Sequence, residues 1–295
     1  MEGLRWLQEV KERFHVPVAT EVATPEHVQA ALEAGIDYLW IGARSSANPL
    51  AVQAICERIS GLVVSGLVVK GLFIKNPVNA DADLWLGNIE RLEKAVYGVG
   101  CKVYAIHRGC NHQPCWSMAH KVRMARQDIP MLLDPSHMSG DAAKVPELLQ
   151  KVAELGLDGA MVEVHAHPES ALSDRKQQIR PEELRIQTAD ADRIQTASLT
   201  EYRPATPDRI QNTELNWLRA EIDELDERLW DTLAARMDVS RRIGEWKKEH
   251  GVAPLQPERY QQIVERLRVT GYGLSDEFML RVWDLIHEES LKQQS

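Results

Sequence analysis

The first 180 residues switch repeatedly between two kinds of apolar pattern, and that alternation limits what the chain can fold into. Short β-branched or apolar runs occupy 16–22, 38–41, 68–74, 103–106, 129–133 and 160–164. Amphipathic stretches lie between them at 25–35, 50–59, 83–98, 116–127 and 143–155. Short runs that are apolar on both faces read as buried parallel strands, and the stretches between them as crossover helices. The count is six βα units, where a closed (β/α)8 barrel has eight. The chain also opens in a helical pattern (Leu4, Leu7, Val10, Phe14) rather than in a strand.

The pattern changes twice more. Arg-Ile-Gln-Thr occurs at 185–188 and 193–196, and Arg-Ile-Gln-Asn at 209–212, with Pro204 and Pro207 in the same stretch. That segment reads as a linker, and its repeat is too short for a solenoid. From Asn212 the pattern is all helical. Asn212 or Thr213 can cap, and Leu215, Leu218, Ile222, Leu225, Leu229 and Leu233 recur at spacings of three and four. A helix running to His250, before Gly251, is about 38 residues or roughly 57 Å long. Two shorter helices are expected at about 257–269 and 276–293. They cannot cover the long one, so a second copy of the chain is expected to pack along it. The reading is α/β plus all-α: an incomplete (β/α)8 TIM-type barrel at 1–184, a linker at 185–212, and a three-helix dimerising domain at 213–295.

Charge narrows the ligand classes. There are 35 Lys+Arg against 44 Asp+Glu, a net −9. An acidic whole argues against nucleic acid or an anionic membrane as main partner, so an anionic ligand must be held by local cations. No apolar run approaches the roughly 20 residues of a membrane span, and residues 1–7 lack a signal-peptide core. Four cysteines make no disulfide framework, which suits a reducing, cytoplasmic setting.

Phasing locates the cations. Arg236 and Lys247 are eleven residues apart, about 20° from eclipsed on a helix, so they share a face. Arg219 is about 260° away from Arg236 and points to a different site. Arg259 opens the second helix, and Ser290 and Gln294 align at i, i+4 on the last. In the α/β part, Arg44, Lys75 and Arg108 each end one of three successive strands, which suits a small phosphorylated acid. His137, Glu163 and Asp174 follow at adjoining strand ends, a donor set for a divalent metal. His107, Cys110, His112 and Cys115 lie within nine residues. Their spacing matches no common zinc motif, and an ordinary loop is the preferred reading over a zinc site.

Over 213–295 the sequence resembles the all-helical chorismate mutases. The matching pieces are 218–226 (LRAEIDELD), 233–237 (LAARM), 243–248 (IGEWKK), 257–259 (PER) and 286–290 (IHEES). The resemblance implies an intertwined homodimer and rearrangement of the dianion chorismate to prephenate without a cofactor. It assigns Arg236, Lys247 and Arg259 to one site, sends Arg219 into the partner's site, and adds Gln256, Ser290 and Gln294 as substrate contacts. Such a reaction needs no nucleophile or proton transfer, only a held conformer and stabilised charge on the ether oxygen. Tyr260 and Gln256 depart from the family's usual Glu and Asp.

Residues 3–183 resemble the type I-beta 3-deoxy-D-arabino-heptulosonate 7-phosphate (DAHP) synthases. The resemblance rests on 19–22 (ATEV), 40–44 (WIGAR), 75–79 (KNPVN), 106–109 (IHRG), 134–137 (DPSH) and 173–178 (SDRKQQ). It implies that Arg44, Lys75 and Arg108 hold phosphoenolpyruvate and that His137, Glu163 and Asp174 ligate a divalent metal. The family's first two strands are not matched. With them go a Gly-Pro-Cys-Ser segment carrying the fourth metal ligand and a Lys-Pro-Arg-Thr segment that binds erythrose 4-phosphate. Cys110 is one candidate replacement for that ligand. The function expected is a chorismate mutase on a synthase-like domain; the alternatives are a fully bifunctional synthase and mutase, or a barrel remnant that serves as a regulatory or structural module.

Overall fold

The computed structural model describes residues 2–67, 69–184, 207–270 and 272–294. It divides into two compact units, Met1–Glu224 and Leu225–Ser295.

The first unit carries one six-stranded, all-parallel sheet: β1 (Ala19–Val22), β2 (Tyr38–Ile41), β3 (Gly71–Lys75), β4 (Lys102–His107), β5 (Met131–Leu133) and β6 (Gly159–Ala160). Spatial order follows chain order, so β1 and β6 form the edges of a barrel that does not close. The helices are α1 (Glu2–Phe14), α2 (Pro25–Glu33), α3 (Ala43–Ser46), α4 (Pro49–Val64), α5 (Ala82–Ala95), α6 (Trp116–Ala125), α7 (Pro135–Ser139) and α8 (Val145–Glu154). Local chemistry sets their starts. Asn48 caps α4 by accepting from Leu50 N at 3.1 Å, with Pro49 in the first turn, and Asp81 caps α5 through Leu84 N at 2.9 Å. The sixth apolar run makes a strand of only two residues. Beyond it Val164 forms an isolated parallel bridge to Ile179.

The strand pleat sorts the side chains. Leu39, Ile41, Leu72, Ile74, Val103 and Ala105 enter the main core with the helices. Phe73, Tyr104 and Ile106, with Tyr38, Trp40, Leu132 and Met161, form a second cluster. Period two then places Lys75, Arg108, Asp134 and Glu163 on that second face, each two residues past a member of the cluster.

The long helix, α9, spans Pro207–Glu249. It therefore starts inside the stretch read as linker at 185–212, five residues earlier than the Asn212 cap. The repeats at 185–188 and 193–196 lie outside the described residues. The division between units also falls later than the expected boundary at 213. Trp217 and Ala220, 1 % and 3 % exposed, belong to the barrel unit's core. Trp217 stacks on His120, whose Nδ1 lies 2.6 Å from Glu221 Oε1, and Trp116 N donates to Glu224 Oε2 at 2.8 Å. The first turns of α9 are thus bonded to α6.

The second unit holds the rest of α9, then α10 (Pro257–Thr270) and α11 (Asp276–Gln293). Gly251, at φ 65°, ends α9, and Ser275 caps α11 through Phe278 N. Leu225, Leu229, Trp230, Val239, Ile243 and Trp246 stay exposed along α9. Among the described residues no helix is long and apolar enough to cross a membrane.

Candidate functional site

Two clusters answer to the expected sites, one in each unit. In the barrel unit a buried ion pair joins Lys75 Nζ to Asp134 Oδ2 at 2.7 Å, with side-chain exposures of 8 % and 1 %. Asp134 also accepts from His137 N at 3.0 Å and lies 3.0 Å from His137 Nδ1. Burial pushes the Asp134 carboxyl up, but His137 and Lys75 outweigh it and hold the group at about 2. With Nδ1 held by a carboxylate, His137 turns Nε2 toward Glu163, 3.5 Å from Oε1. Glu163 is fixed in turn by Gln177 Nε2 at 2.7 Å and through its own N by Ser136 Oγ at 3.0 Å.

One ligand atom each of His137, Glu163 and Asp174 lies within 4.8 Å of the other two. Among the described residues this is the group of three or more His, Cys, Asp or Glu donors placed to share an ion. The donor chemistry fits a divalent cation: one imidazole nitrogen with its other nitrogen on a carboxylate, and two carboxylates. The His107–Cys115 loop forms no such group. His107 is buried with Nε2 against Pro114 O at 2.7 Å, and burial depresses its pKa to about 4.

Of the three expected anion-binding cations, Lys75 is buried, Arg108 half-buried and Arg44 exposed. Arg108 is seated by Asn76, whose Oδ1 accepts from Arg108 N at 2.7 Å while Nδ2 donates to Gly109 O at 2.9 Å. Asn76, Asp134, Ser136 and Gln177 were not among the expected site residues. All four sit in segments already singled out, 75–79, 134–137 and 173–178, and each is buried and bonded to a site residue.

In the helical unit, α9 and α11 bring two pairs together. Arg236 Nη1 bonds Ser290 Oγ, and its guanidinium lies 5.2 Å from the Trp283 ring centroid. Burial lowers the Arg236 pKa, although an arginine stays charged. Lys247, 8 % exposed, donates to Pro254 O at 2.6 Å and Gln294 Oε1 at 3.0 Å. The helices approach closely where Gly244 faces Gln294, leaving no room for a side chain at 244. Neither Arg236 nor Lys247 forms an ion pair with any described residue, unlike Lys75. Gln256 and Arg259 are exposed, and Arg259 Nη1 reaches Gln262 at 3.3 Å. Tyr260, the departure from the usual Glu, donates its hydroxyl to Asp284 Oδ1. Arg219 is exposed and belongs to the first unit.

Strand-end cations beside a metal-type donor set, in a chain with a helical unit that holds a buried lysine and a half-buried arginine, define a two-module enzyme. The chain belongs to the DAHP synthetase I family, whose pattern matches residues 1–197, and it carries a chorismate mutase type II domain matched over 218–295. A 4-amino-4-deoxychorismate mutase of Streptomyces venezuelae is 37 % identical over 81 residues, 27 % of this chain and 79 % of that protein. A 2-dehydro-3-deoxyphosphooctonate aldolase of Helicobacter pylori is 26 % identical over 218 residues, covering 66 % of this chain and 75 % of its own. The solved DAHP synthase of Thermotoga maritima shares the fold at a TM-score of 0.55 and 24 % identity, over 65 % of this chain. The chain spans just over half, 55 %, of that synthase.

Proposed function

We propose that residues 213–295 convert chorismate to prephenate, working as a homodimer in the cytoplasm. The observation that carries this reading is the half-buried Arg236 and the buried Lys247, neither with a carboxylate partner among the described residues. A buried charge without a counter-ion is costly, and a dianionic ligand removes the cost. Arg236, with Arg259 and the partner's copy of Arg219, clamps the two carboxylates. Lys247 has three donors and spends two on Pro254 and Gln294, leaving one for the ether oxygen. Gln294 takes a Lys247 hydrogen on Oε1, so its amide nitrogen is a second donor to that oxygen. Gln256 and Ser290 complete the substrate contacts. The exposed apolar stripe of α9 supports the dimer.

The test is turnover of chorismate by the purified chain. Arg236→Ala should lower kcat/KM by at least about 100-fold, the scale for removing one charge-stabilising donor. An unchanged rate would refute the assignment. The 37 % identity to a 4-amino-4-deoxychorismate mutase favours a second reading, with the amino analogue as substrate. Comparing kcat/KM for the two substrates decides between them.

For the barrel unit we propose binding of a divalent metal by His137, Glu163 and Asp174, and of a phosphoenolpyruvate-like anion by Arg44, Lys75 and Arg108. The metal would supply Lewis-acid polarisation of a bound carbonyl, while the cations orient the phosphorylated acid. The converging donor atoms of the three ligands support this. Metal-dependent condensation of phosphoenolpyruvate with erythrose 4-phosphate is the assay for full synthase activity.

A further inference from the structure

We propose that Cys110 and Cys115 are a redox-active dithiol that closes to an intramolecular disulfide across the 110–115 turn. The backbone is built to hold the two together. Cys110 and Gln113 exchange both main-chain hydrogen bonds, at 2.8 and 3.0 Å. Between them Asn111 and His112 are both left-handed, at φ 51° and 62°, the geometry of a tight two-residue hairpin. Gly109 precedes the turn at φ 69°, where a side chain would strike the Gln113 carbonyl. Cys115 is itself left-handed, at φ 50°, and leads into α6. Three non-glycine residues in this conformation within five positions mark a segment held by its surroundings rather than by its own preference.

The result is a thiol–thiol contact: Cys110 and Cys115 are hydrogen-bonded to one another. Cys110 is 4 % exposed, with Met118 Sδ and Asn76 Nδ2 each 4.0 Å from its sulfur. The Cys115 contact and burial together push the Cys110 thiol up, so it is not the entry point. Cys115 is half-buried and is the thiol of this pair that an external oxidant can reach. Cys56 and Cys101 are separate, and burial raises them to about 12 and about 11.

The chemistry balances with one external disulfide as oxidant. Cys115, as thiolate, attacks that disulfide and expels one thiolate, leaving a mixed disulfide on Cys115. Cys110 then loses its proton and attacks the Cys115 sulfur, expelling the second thiolate. Two protein thiols are oxidised, one external disulfide is reduced to two thiols, and the two protons pass to the expelled thiolates. Closure draws on both ends of the loop. One end is Gly109, whose carbonyl is bonded to the Asn76 that seats Arg108. The other is Trp116, whose N is bonded to Glu224.

The test treats the full chain with excess glutathione disulfide, alkylates what remains and maps the peptides. The expected result is a fall from four alkylatable thiols to two, a Cys110–Cys115 cross-link, and full reversal by dithiothreitol. Cys110→Ser should instead stop at a single mixed disulfide on Cys115. Four thiols remaining, a mixed disulfide that persists on Cys115 in the unmutated chain, or a cross-link between two chains would each overturn the proposal. The unmutated chain carries the test by itself if the variant does not fold.

Discussion

Replacing Asp134 with Asn separates two jobs done by one carboxylate. Its first job is to neutralise Lys75, 2.7 Å away, where both side chains are at most 8 % exposed. Breaking a buried pair from one side costs about 3–5 kcal/mol, because the surviving charge is left without compensation. The asparagine oxygen still offers Lys75 an acceptor, so the low end of that range, about 3 kcal/mol, is expected. That is a large share of the roughly 5–15 kcal/mol by which folded proteins are stable. The second job is to orient His137 through its Nδ1 at 3.0 Å. Losing such a support weakens metal binding about 10- to 100-fold. Urea unfolding without metal reads the first effect, and calorimetric titration with Mn²⁺ the second. Adding Lys75→Met should recover most of the stability, since the unpaired charge goes with it, while metal affinity stays low. A loss under about 1 kcal/mol for Asp134→Asn, or a double variant no more stable than the single, would show that the pair does not carry the charge balance argued here.

Trp217→Ala should destabilise the chain by about 3–5 kcal/mol, the range for deleting a fully buried aromatic. Differential scanning calorimetry checks it, and a change within error would mean the first turns of α9 are not part of the barrel core. His107 gives a pH signature. Burial holds it neutral in the folded state, with a pKa of about 4 against 6.5 for the free group. The unfolded chain therefore takes up the proton first as pH falls. The stability tied to neutral His107 is intact above pH 6.5 and is lost progressively between 6.5 and about 4. The loss amounts to about 3 kcal/mol, and His107→Asn should flatten stability across that window in urea titrations at stepped pH.

Most of the fold was legible because strands and helices differ in period. The runs at 38–41 and 103–106 become β2 and β4 almost residue for residue, because continuous apolar runs survive only where both sheet faces are covered. The short helices α3 and α7 were not legible. At four and five residues they carry too little periodicity to register. The sixth strand was overestimated because 160–164 is apolar enough for a strand, but pairing with β5 ends at Ala160. The start of α9 was misplaced because Pro207 looks like linker chemistry, although proline suits a first helical turn as well. Within the site, charge and spacing pointed to His137, Glu163 and Asp174. They could not point to Asn76 or Gln177, whose roles depend on bonds to residues 32 and 14 positions away.

The two units hold their cations in opposite ways, and this sharpens what an acidic chain with a net −9 is doing. In the barrel Lys75 is already neutralised by Asp134, so an incoming anion meets a balanced pair and must gain from Arg108 and Arg44. In the helical unit the partners of Arg236 and Lys247 are a hydroxyl, a carbonyl and an amide, all neutral. One buried and one half-buried positive charge, hydrogen-bonded only to neutral groups among the described residues, favour a doubly negative ligand over a singly negative one. Net acidity outside repels that same ligand at long range, but this repulsion is screened over about 8 Å at physiological salt. Binding of a dianion such as chorismate should then depend weakly on ionic strength where it rests on Lys247 and Arg236, a buried and a half-buried group. Steep weakening between 50 and 300 mM salt, seen by titration of the active chain, would instead place the cations on a solvated surface.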